Sequence, residues 1–311
     1  MRWQLKCLVD TAKAMLPFEQ RLRKAKYRVF RYEEKLGRES WTIKQGLQQI
    51  DWIRSVKSLE SATVLEVGSG WQPIIPILFS LAGAGRVLLT DTTRLCIPAT
   101  VDAALRSIRA HKSLIIDSLG ISEAAFDQAV AQDSSQDIDR AFGRLRLKYL
   151  APCDCQKLDL PTASVDVLVS RAVLEHIPPV VLENIFGESF RILKPGGLVC
   201  HFIDDSDHWE FEDKSISRVN FLRYSDSVFR WTCLNKQNYQ NRLRHPEYLQ
   251  MMFKAGFSIL REERKVDAKA LAALHDLPIG QRFQSFSKED LATIDSYVLA
   301  RKPLEAQPMH S

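Results

Sequence analysis

The stretch "TVLEVGSGWQPIIPI", Thr63 to Ile77, decides how the rest of the chain is read. Its first half is a short apolar run with β-branched residues that stops at a glycine, the pattern of a strand buried on both faces. Its second half is a turn, "GSGWQP", that runs into an apolar stretch of helical length. A strand that ends in a glycine turn and continues as a helix is how doubly wound sheets bind nucleotides. The turn keeps Gly68 and Gly70 but has Pro73 where a dinucleotide fingerprint carries its third glycine.

That third glycine lets the helix pack closely enough for a pyrophosphate to rest on its N-terminus. A ligand without a pyrophosphate does not need it. The two glycines that remain still let the backbone approach a ligand. Glu66, just inside the strand, can orient the turn or reach a ligand amine. A second buried run, "GRVLLTD", ends at Asp91, 25 residues after Glu66. An acid there can accept hydrogen bonds from both hydroxyls of a ribose. Ribose without diphosphate points to an adenosyl ligand.

Moving outward, "LKYLAP", "VDVLVS" and "GLVCHFI" read as three more strands, with helical patterns such as "VVLENIFGESFRIL" between them. Strands alternating with helices predict βαβ units and a parallel sheet. "HPEYLQMMFKAGF" predicts a helix closed by Gly256, and "SILREERKV" and "SYVLARK" two final strands. The fold class expected is therefore α/β, a doubly wound, mostly parallel sheet of seven strands. Two segments interrupt it. Residues 92–146 hold two helical patterns, and residues 205–243 form an excursion after strand five that is rich in aromatics and arginines.

Ahead of the first strand, Leu5, Leu8, Ala12 and Met15 repeat at helical spacing up to Pro17. A second, basic helix is predicted from Phe18 to Leu36. A third carries Ile43, Leu47, Ile50 and Ile53 on one face. We therefore expect residues 1–60 to form a basic helical extension and residues 61–311 the sheet domain. The extension holds 14 Lys and Arg against 7 Asp and Glu, whereas the whole chain has a net charge of +5. The basicity thus belongs to the N-terminus, and a weak contact with an anionic membrane surface or an acidic protein is the partner it allows. No basic–aromatic cluster or reading motif points to nucleic acid.

With 45% apolar and 26% charged residues the composition is that of a globular protein. No apolar run is long enough for a transmembrane span, and the N-terminus lacks a signal-peptide core. Six scattered cysteines fit neither a disulfide framework nor a zinc spacing, and a reducing, cytoplasmic location is expected.

Four motifs in order resemble the class I S-adenosylmethionine-dependent methyltransferases. They are "LEVGSGW", Asp91 after "RVLLT", "LDLPTASVDVLVSRAVLEHIP", and "FRILKPGG" before strand five. The likeness covers roughly residues 60–200, and the chain as a whole, including "IDDSDHW", resembles a bacterial subgroup of that family. The resemblance implies S-adenosyl-L-methionine as cofactor and a Rossmann-like sheet. It implies that Gly68, Ser69 and Gly70 lie under the methionine part, with Glu66 near its amino group. Asp91 would hold the ribose and Asp154 the adenine amine, with Asp159 a competitor. Ser170 and Arg171 would line the methionine side.

Methyl transfer from a sulfonium needs alignment in a dry pocket, and an oxygen acceptor also needs a base. Candidates should sit at the carboxyl ends of strands four and five. His208, with Asp204 four residues before it, is the expected base, oriented by that carboxylate. The rival readings are that the pair anchors the segment after strand five, or that it binds a divalent ion. No further ligand is evident in the sequence, so no metal is expected. His176 in "LEHIP" reads as a structural residue. Arg223, Arg230, Arg242 and Arg244, with Tyr224, Trp231 and Tyr239, suit a polar small-molecule or glycan acceptor under a lid. The expected function is O-methylation. The alternatives are a nicotinamide (NAD-dependent) oxidoreductase and a non-catalytic methyltransferase-like binding protein.

Overall fold

A computed structural model of the chain describes residues 2–14, 36–131, 138–232 and 239–304. The basic helix expected from Phe18 lies outside these residues except for its last position. The described elements begin with two helices, α1 (Trp3–Ala14) and α2 (Leu36–Arg54), ahead of the first strand. Then come β1 (Thr63–Val67), α3 (Ile74–Leu81) and β2 (Arg86–Thr90). Four helices follow, α4 (Pro98–Ala110), α5 (Lys112–Leu119), α6 (Glu123–Ala129) and α7 (Ile138–Arg144). The middle of the sheet is β3 (Leu147–Tyr149), β4 (Val165–Arg171), α8 (Pro179–Ile192) and β5 (Leu193–Asp204). The chain closes with α9 (Asp226–Thr232), α10 (His245–Lys254), β6 (Ser258–Val266), α11 (Ala268–Ala273), α12 (Lys288–Ala292) and β7 (Thr293–Arg301).

The seven strands form one sheet in the order β3-β2-β1-β4-β5-β7-β6. β1 to β5 run parallel, and β7 runs antiparallel to both of its neighbours. Period-two alternation sends side chains to two separate cores, as expected of strands covered on both faces. Val64, Val87, Val167 and Cys200 pack on one side, and Leu65, Leu88, Leu168 and Val199 on the other.

The first of these cores also contains α2. Ile43, Leu47, Ile50 and Ile53 are buried there with Trp52, against α3, all eight residues of which are buried. The two helices approach so closely at Gly46 that an added Cβ would lie 2.7 Å from the side chains of Ile75 and Leu78. The boundary expected at residue 60 therefore separates in sequence what packing joins. α2 is a layer of the sheet domain because its apolar face has no other surface to bury. Arg54 at its end is likewise committed, donating to the carbonyls of Leu119 and Ala82.

Residues 92–146 contain four helices rather than two, and they join the same core through residues such as Leu105, Ile108, Phe126 and Phe142. The excursion after β5 builds a satellite core with the last helices, centred on Phe221, Phe229, Phe283 and Ile294. α1 packs on that excursion. The Trp3 and Trp209 rings are 5.8 Å apart, the Trp3 N–H donates to Asp213 at 3.0 Å, and the Cys7 thiol donates to the Thr232 carbonyl. The five described cysteines are free thiols. Among the described residues no helix is long and apolar enough to cross a membrane.

Candidate active site

The parallel pairing of β1 with β2 brings Val67 beside Thr90, so the glycine turn and Asp91 leave the sheet side by side. The N–H groups of Gly68 and Ser69 both donate to the Thr90 carbonyl at 2.9 Å, and the Gly70 N–H donates to the Asp91 carboxylate at 3.1 Å. Gly68 and Gly70 have φ of +75° and +63°, a region that favours glycine. Their reasons differ. A Cβ on Gly68 would collide with Val173 at 2.6 Å, whereas one on Gly70 would meet nothing within 4 Å. Gly68 is needed for packing, and Gly70 borders open space over the strand ends.

Pro73 caps α3 without a side-chain hydrogen bond, and the Ile74 N–H is spent on the Gln72 carbonyl. Pro76, within the first turn, has no N–H to offer either. A helix start with so few free donors is a poor seat for a diphosphate, which supports the reading of the missing glycine.

Beneath the turn, Glu66 and Ser69 are buried, and Glu66 Oε2 and Ser69 Oγ have no hydrogen-bond partner. Burial, helped by the negative charge of Asp91, pushes the Glu66 carboxyl up to about 8. A buried acid with one oxygen left without a hydrogen bond at a glycine turn fits a ligand that brings an ammonium group. Asp154 follows β3 on a loop tied to Asp91 by the Cys153 N–H at 2.9 Å. Its carboxylate is exposed and accepts from the Gln156 backbone N–H.

At the end of β4 the two expected residues part company. Ser170 is fully buried and its hydroxyl pairs with His201 Nδ1 at 2.8 Å, so its side chain belongs to the core. Strand alternation sends the next side chain, Arg171, the other way. Its Nε donates to Gln45 Oε1 at 2.7 Å, and it lines a cleft of ≈ 490 Å³ at the carboxyl ends of the strands. Gln72, from the glycine turn, lines the same cleft. Asp204, Arg218, Lys265 and Asp295 add charge, and Trp41 and Phe211 supply aromatic faces. Asp295 faces Asp204 across the β5–β7 pairing. Burial, followed by the charge of Asp204, lifts its carboxyl to about 6.

Asp204 and His208 are together, with His208 Nε2 3.3 Å from Asp204 Oδ2. Their order differs from the expectation. Asp204 lines the cleft, while His208 Nε2 is buried behind it and off line for a hydrogen bond. Burial tends to raise Asp204, but His208 and the N–H and hydroxyl of Ser206 outweigh it and hold the carboxyl below its ordinary value. His176 lies against His208 with ring centroids 4.9 Å apart, and its Nδ1 meets the Tyr239 carbonyl at 2.8 Å. Burial pushes His176 down to about 4, so it is neutral at pH 7.

Two of the four arginines expected to greet the acceptor are spent on the fold. Arg244 is wholly buried and donates to the carbonyls of Asp205, Asp290 and Thr293. Arg242 holds the Phe221 and Tyr224 carbonyls and Asp226. Trp231 is exposed on the outside of the excursion. Arg218, Lys265 and Asp295 take their place in the cleft, with Trp41 and Gln45 from α2. None of these carries a local motif. Asp295 in particular reaches the site only because β7 is antiparallel, which brings its N-terminal end to the carboxyl ends of the other strands.

A glycine-turn crevice and a polar cleft meet at the carboxyl ends of this sheet, whose seven strands have a Rossmann-like methyltransferase-type fold. Residues 121–201 match the methyltransferase domain family. That match and the sheet around it support the resemblance to the class I S-adenosylmethionine-dependent methyltransferases, and with it S-adenosyl-L-methionine as cofactor. The match begins after the glycine turn, so the turn residues stand on their own geometry. A search of curated proteins returns no match. Among solved structures the chain is similar to an S-adenosylmethionine-dependent methyltransferase from Mesorhizobium loti (15% identity, 81% of this chain and 96% of that one, TM-score 0.44). It is also similar to one from Methanosarcina mazei (16%, 82% and 98%, TM-score 0.43). A third is a Haemonchus contortus phosphoethanolamine N-methyltransferase bound to S-adenosylhomocysteine (18%, 84% and 53%, TM-score 0.45).

Proposed function

We propose that the protein methylates an oxygen atom of a small, polar, glycan-like acceptor bound in the cleft beside Arg171 and Asp204. The observation that carries this reading is the shared wall, in which Gln72 of the cofactor turn lines the same cleft as Asp204. S-adenosylmethionine supplies a methyl group on a sulfonium that leaves as a neutral thioether, so no acid is needed for the leaving group. The tasks left to this chain are alignment, exclusion of water and removal of the acceptor's proton.

Asp91 would hold the ribose, Glu66 and Ser69 the amino end, and Asp154 the adenine amine. Arg171, clamped by Gln45, stands between cofactor and acceptor. Asp204 faces the cleft and would take the hydroxyl proton, with His208 and Ser206 fixing its rotamer. Trp41 and Phe211 offer flat apolar faces suited to a sugar, and Arg218 and Lys265 suit an anionic substituent.

The test is incubation of the protein with methyl-labelled S-adenosylmethionine and a fractionated metabolite extract, followed by assignment of the labelled atom. Label on the oxygen of a small polar compound is expected. Label only on nitrogen, or on no small molecule although S-adenosylhomocysteine binds, would overturn the acceptor reading.

A further inference from the structure

Two turns meet at the carboxyl end of the sheet beside the cleft. The first, the 3-10 turn Leu174–His176, follows β4, and the second, His208–Phe211, follows β5. Because β4 and β5 are adjacent and parallel, both turns leave the same end of the sheet. They bring Glu175, His176 and His208 together, each able to offer one ligand atom such that all three lie within 4.8 Å of one another.

Glu175 is the unusual member. It is buried, and neither carboxylate oxygen has a hydrogen-bond partner. A buried carboxylate with both oxygens unpaired is costly unless something positive meets it. Its nearest ring nitrogen, His176 Nε2, is 4.0 Å from Glu175 Oε1, too far for a hydrogen bond. That separation suits two ligands of one cation instead. Ligand distances of about 2.0–2.2 Å place tetrahedral ligands about 3.3–3.6 Å apart, so a pair at the 4.8 Å limit would close by about 1.2 Å on binding.

The imidazoles are also prepared. His176 donates through Nδ1 to the Tyr239 carbonyl, which leaves Nε2 with its lone pair directed away from that bond. This is the outer-shell arrangement that orients metal-binding histidines. His208 Nε2 is buried and has no hydrogen-bond partner.

A single short segment braces both turns. Asn241 donates from its backbone to the Glu175 carbonyl and from its side chain to Leu174 and Ile177. Gln240 accepts from the His208 N–H and donates to the Ser206 carbonyl. The cluster is held from behind, while both Glu175 oxygens and His208 Nε2 make no hydrogen bond.

We propose that Glu175, His176 and His208 form a binding site for a first-row divalent cation at the margin of the acceptor cleft. Two imidazoles and a carboxylate select Zn²⁺ or Mn²⁺ over Mg²⁺, which prefers oxygen ligands. With Asp204 Oδ2 3.3 Å from His208 Nε2, the cation would sit directly behind the carboxylate that lines the cleft. The proposal concerns cation binding and stands whether or not the acceptor is an alcohol.

The test is calorimetric titration of the full-length, chelator-treated protein with Zn²⁺, Mn²⁺ and Mg²⁺, without cofactor or acceptor. One equivalent of Zn²⁺ or Mn²⁺ should bind, at least tenfold more tightly than Mg²⁺. E175Q and H208N should each weaken that binding by tenfold or more. E175Q keeps the shape of a side chain that makes no hydrogen bond, so it should fold, and its circular dichroism serves as the check. H275N, at an exposed histidine remote in sequence, should bind as the parent does. Absence of stoichiometric binding by either transition metal would overturn the site. So would binding that survives both E175Q and H208N, or binding that is lost on C153S,C155S instead.

Discussion

The two halves of the active site are built in opposite ways. The crevice over β1 and β2 is made of backbone: two glycines with positive φ, three N–H groups turned back onto Thr90 and Asp91, and one buried acid, Glu66, within a short span. The cleft over β4, β5 and β7 is made of side chains drawn from α2, the strand ends, the excursion and β6. Under the proposed function one ligand contains a constant adenosine and the other does not, and each is matched with a different material. A backbone crevice is fixed by a few local residues and changes little when distant side chains are altered. A side-chain cleft can be reshaped one residue at a time without disturbing the crevice.

That contrast can be broken by substitutions that cross it. The largest effect is expected at Asp204. D204N should slow turnover by about two to four orders of magnitude if it takes the acceptor's proton, with the affinity for S-adenosylhomocysteine unchanged. Equal loss of both would mean that the two halves are not separate. Asp91 should behave in reverse. D91A removes the cap of Gly70 and the proposed ribose contact, and should weaken S-adenosylhomocysteine by about 1.5–3 kcal/mol in calorimetry.

Glu66 sharpens the comparison through pH. Burial raises its carboxyl from 4.5 to about 8 in the folded chain. The stability it contributes is therefore complete below 4.5 and drains away as pH rises toward about 8. An ammonium ligand reverses the preference, because binding then expels the proton, and cofactor affinity should rise with pH across that window. Thermal unfolding and calorimetry should show both trends, and E66Q should flatten them; a parent protein with no pH dependence would remove Glu66 from the crevice. The smallest effect is expected at Gln45. Q45A frees Arg171 from its 2.7 Å bond and should cost about 0.5–1.5 kcal/mol, seen as a higher KM for the acceptor and an unchanged affinity for S-adenosylhomocysteine.

The same contrast governs how much could be read from the sequence. All seven strands were legible, because strands buried on both faces are short apolar runs between turn residues, and the helix closed by Gly256 was legible from its stop signal. The crevice was legible because its parts lie within 25 residues and each residue type has a local reason to be there. Ser170 was misread, since the register that turns it toward His201 and Arg171 toward the cleft depends on which face α2 covers. The sequence offers Arg242 and Arg244 as ligand-facing groups because it cannot show that a guanidinium is consumed by buried carbonyls. The place of Glu175 was hidden for a similar reason. It acquires meaning only when the turn at His208, 33 residues later in the chain, folds back beside it.

Helix α2 gives the cleft a property of its own. Trp41, Gln45 and Gln49 lie four residues apart along one stripe. Trp41 borders the cleft, Gln45 grips Arg171, and Gln49 donates to the carbonyls of Ser170 in β4 and Cys200 in β5. The adjoining side of the same rod is wedged against α3 at Gly46. The helix is thus a lever with its fulcrum in the apolar interior, and a push of one residue's rise, about 1.5 Å, would shift all three contacts at once. Preference among acceptors can therefore be tuned from the far side of the molecule, by residues that no acceptor ever touches.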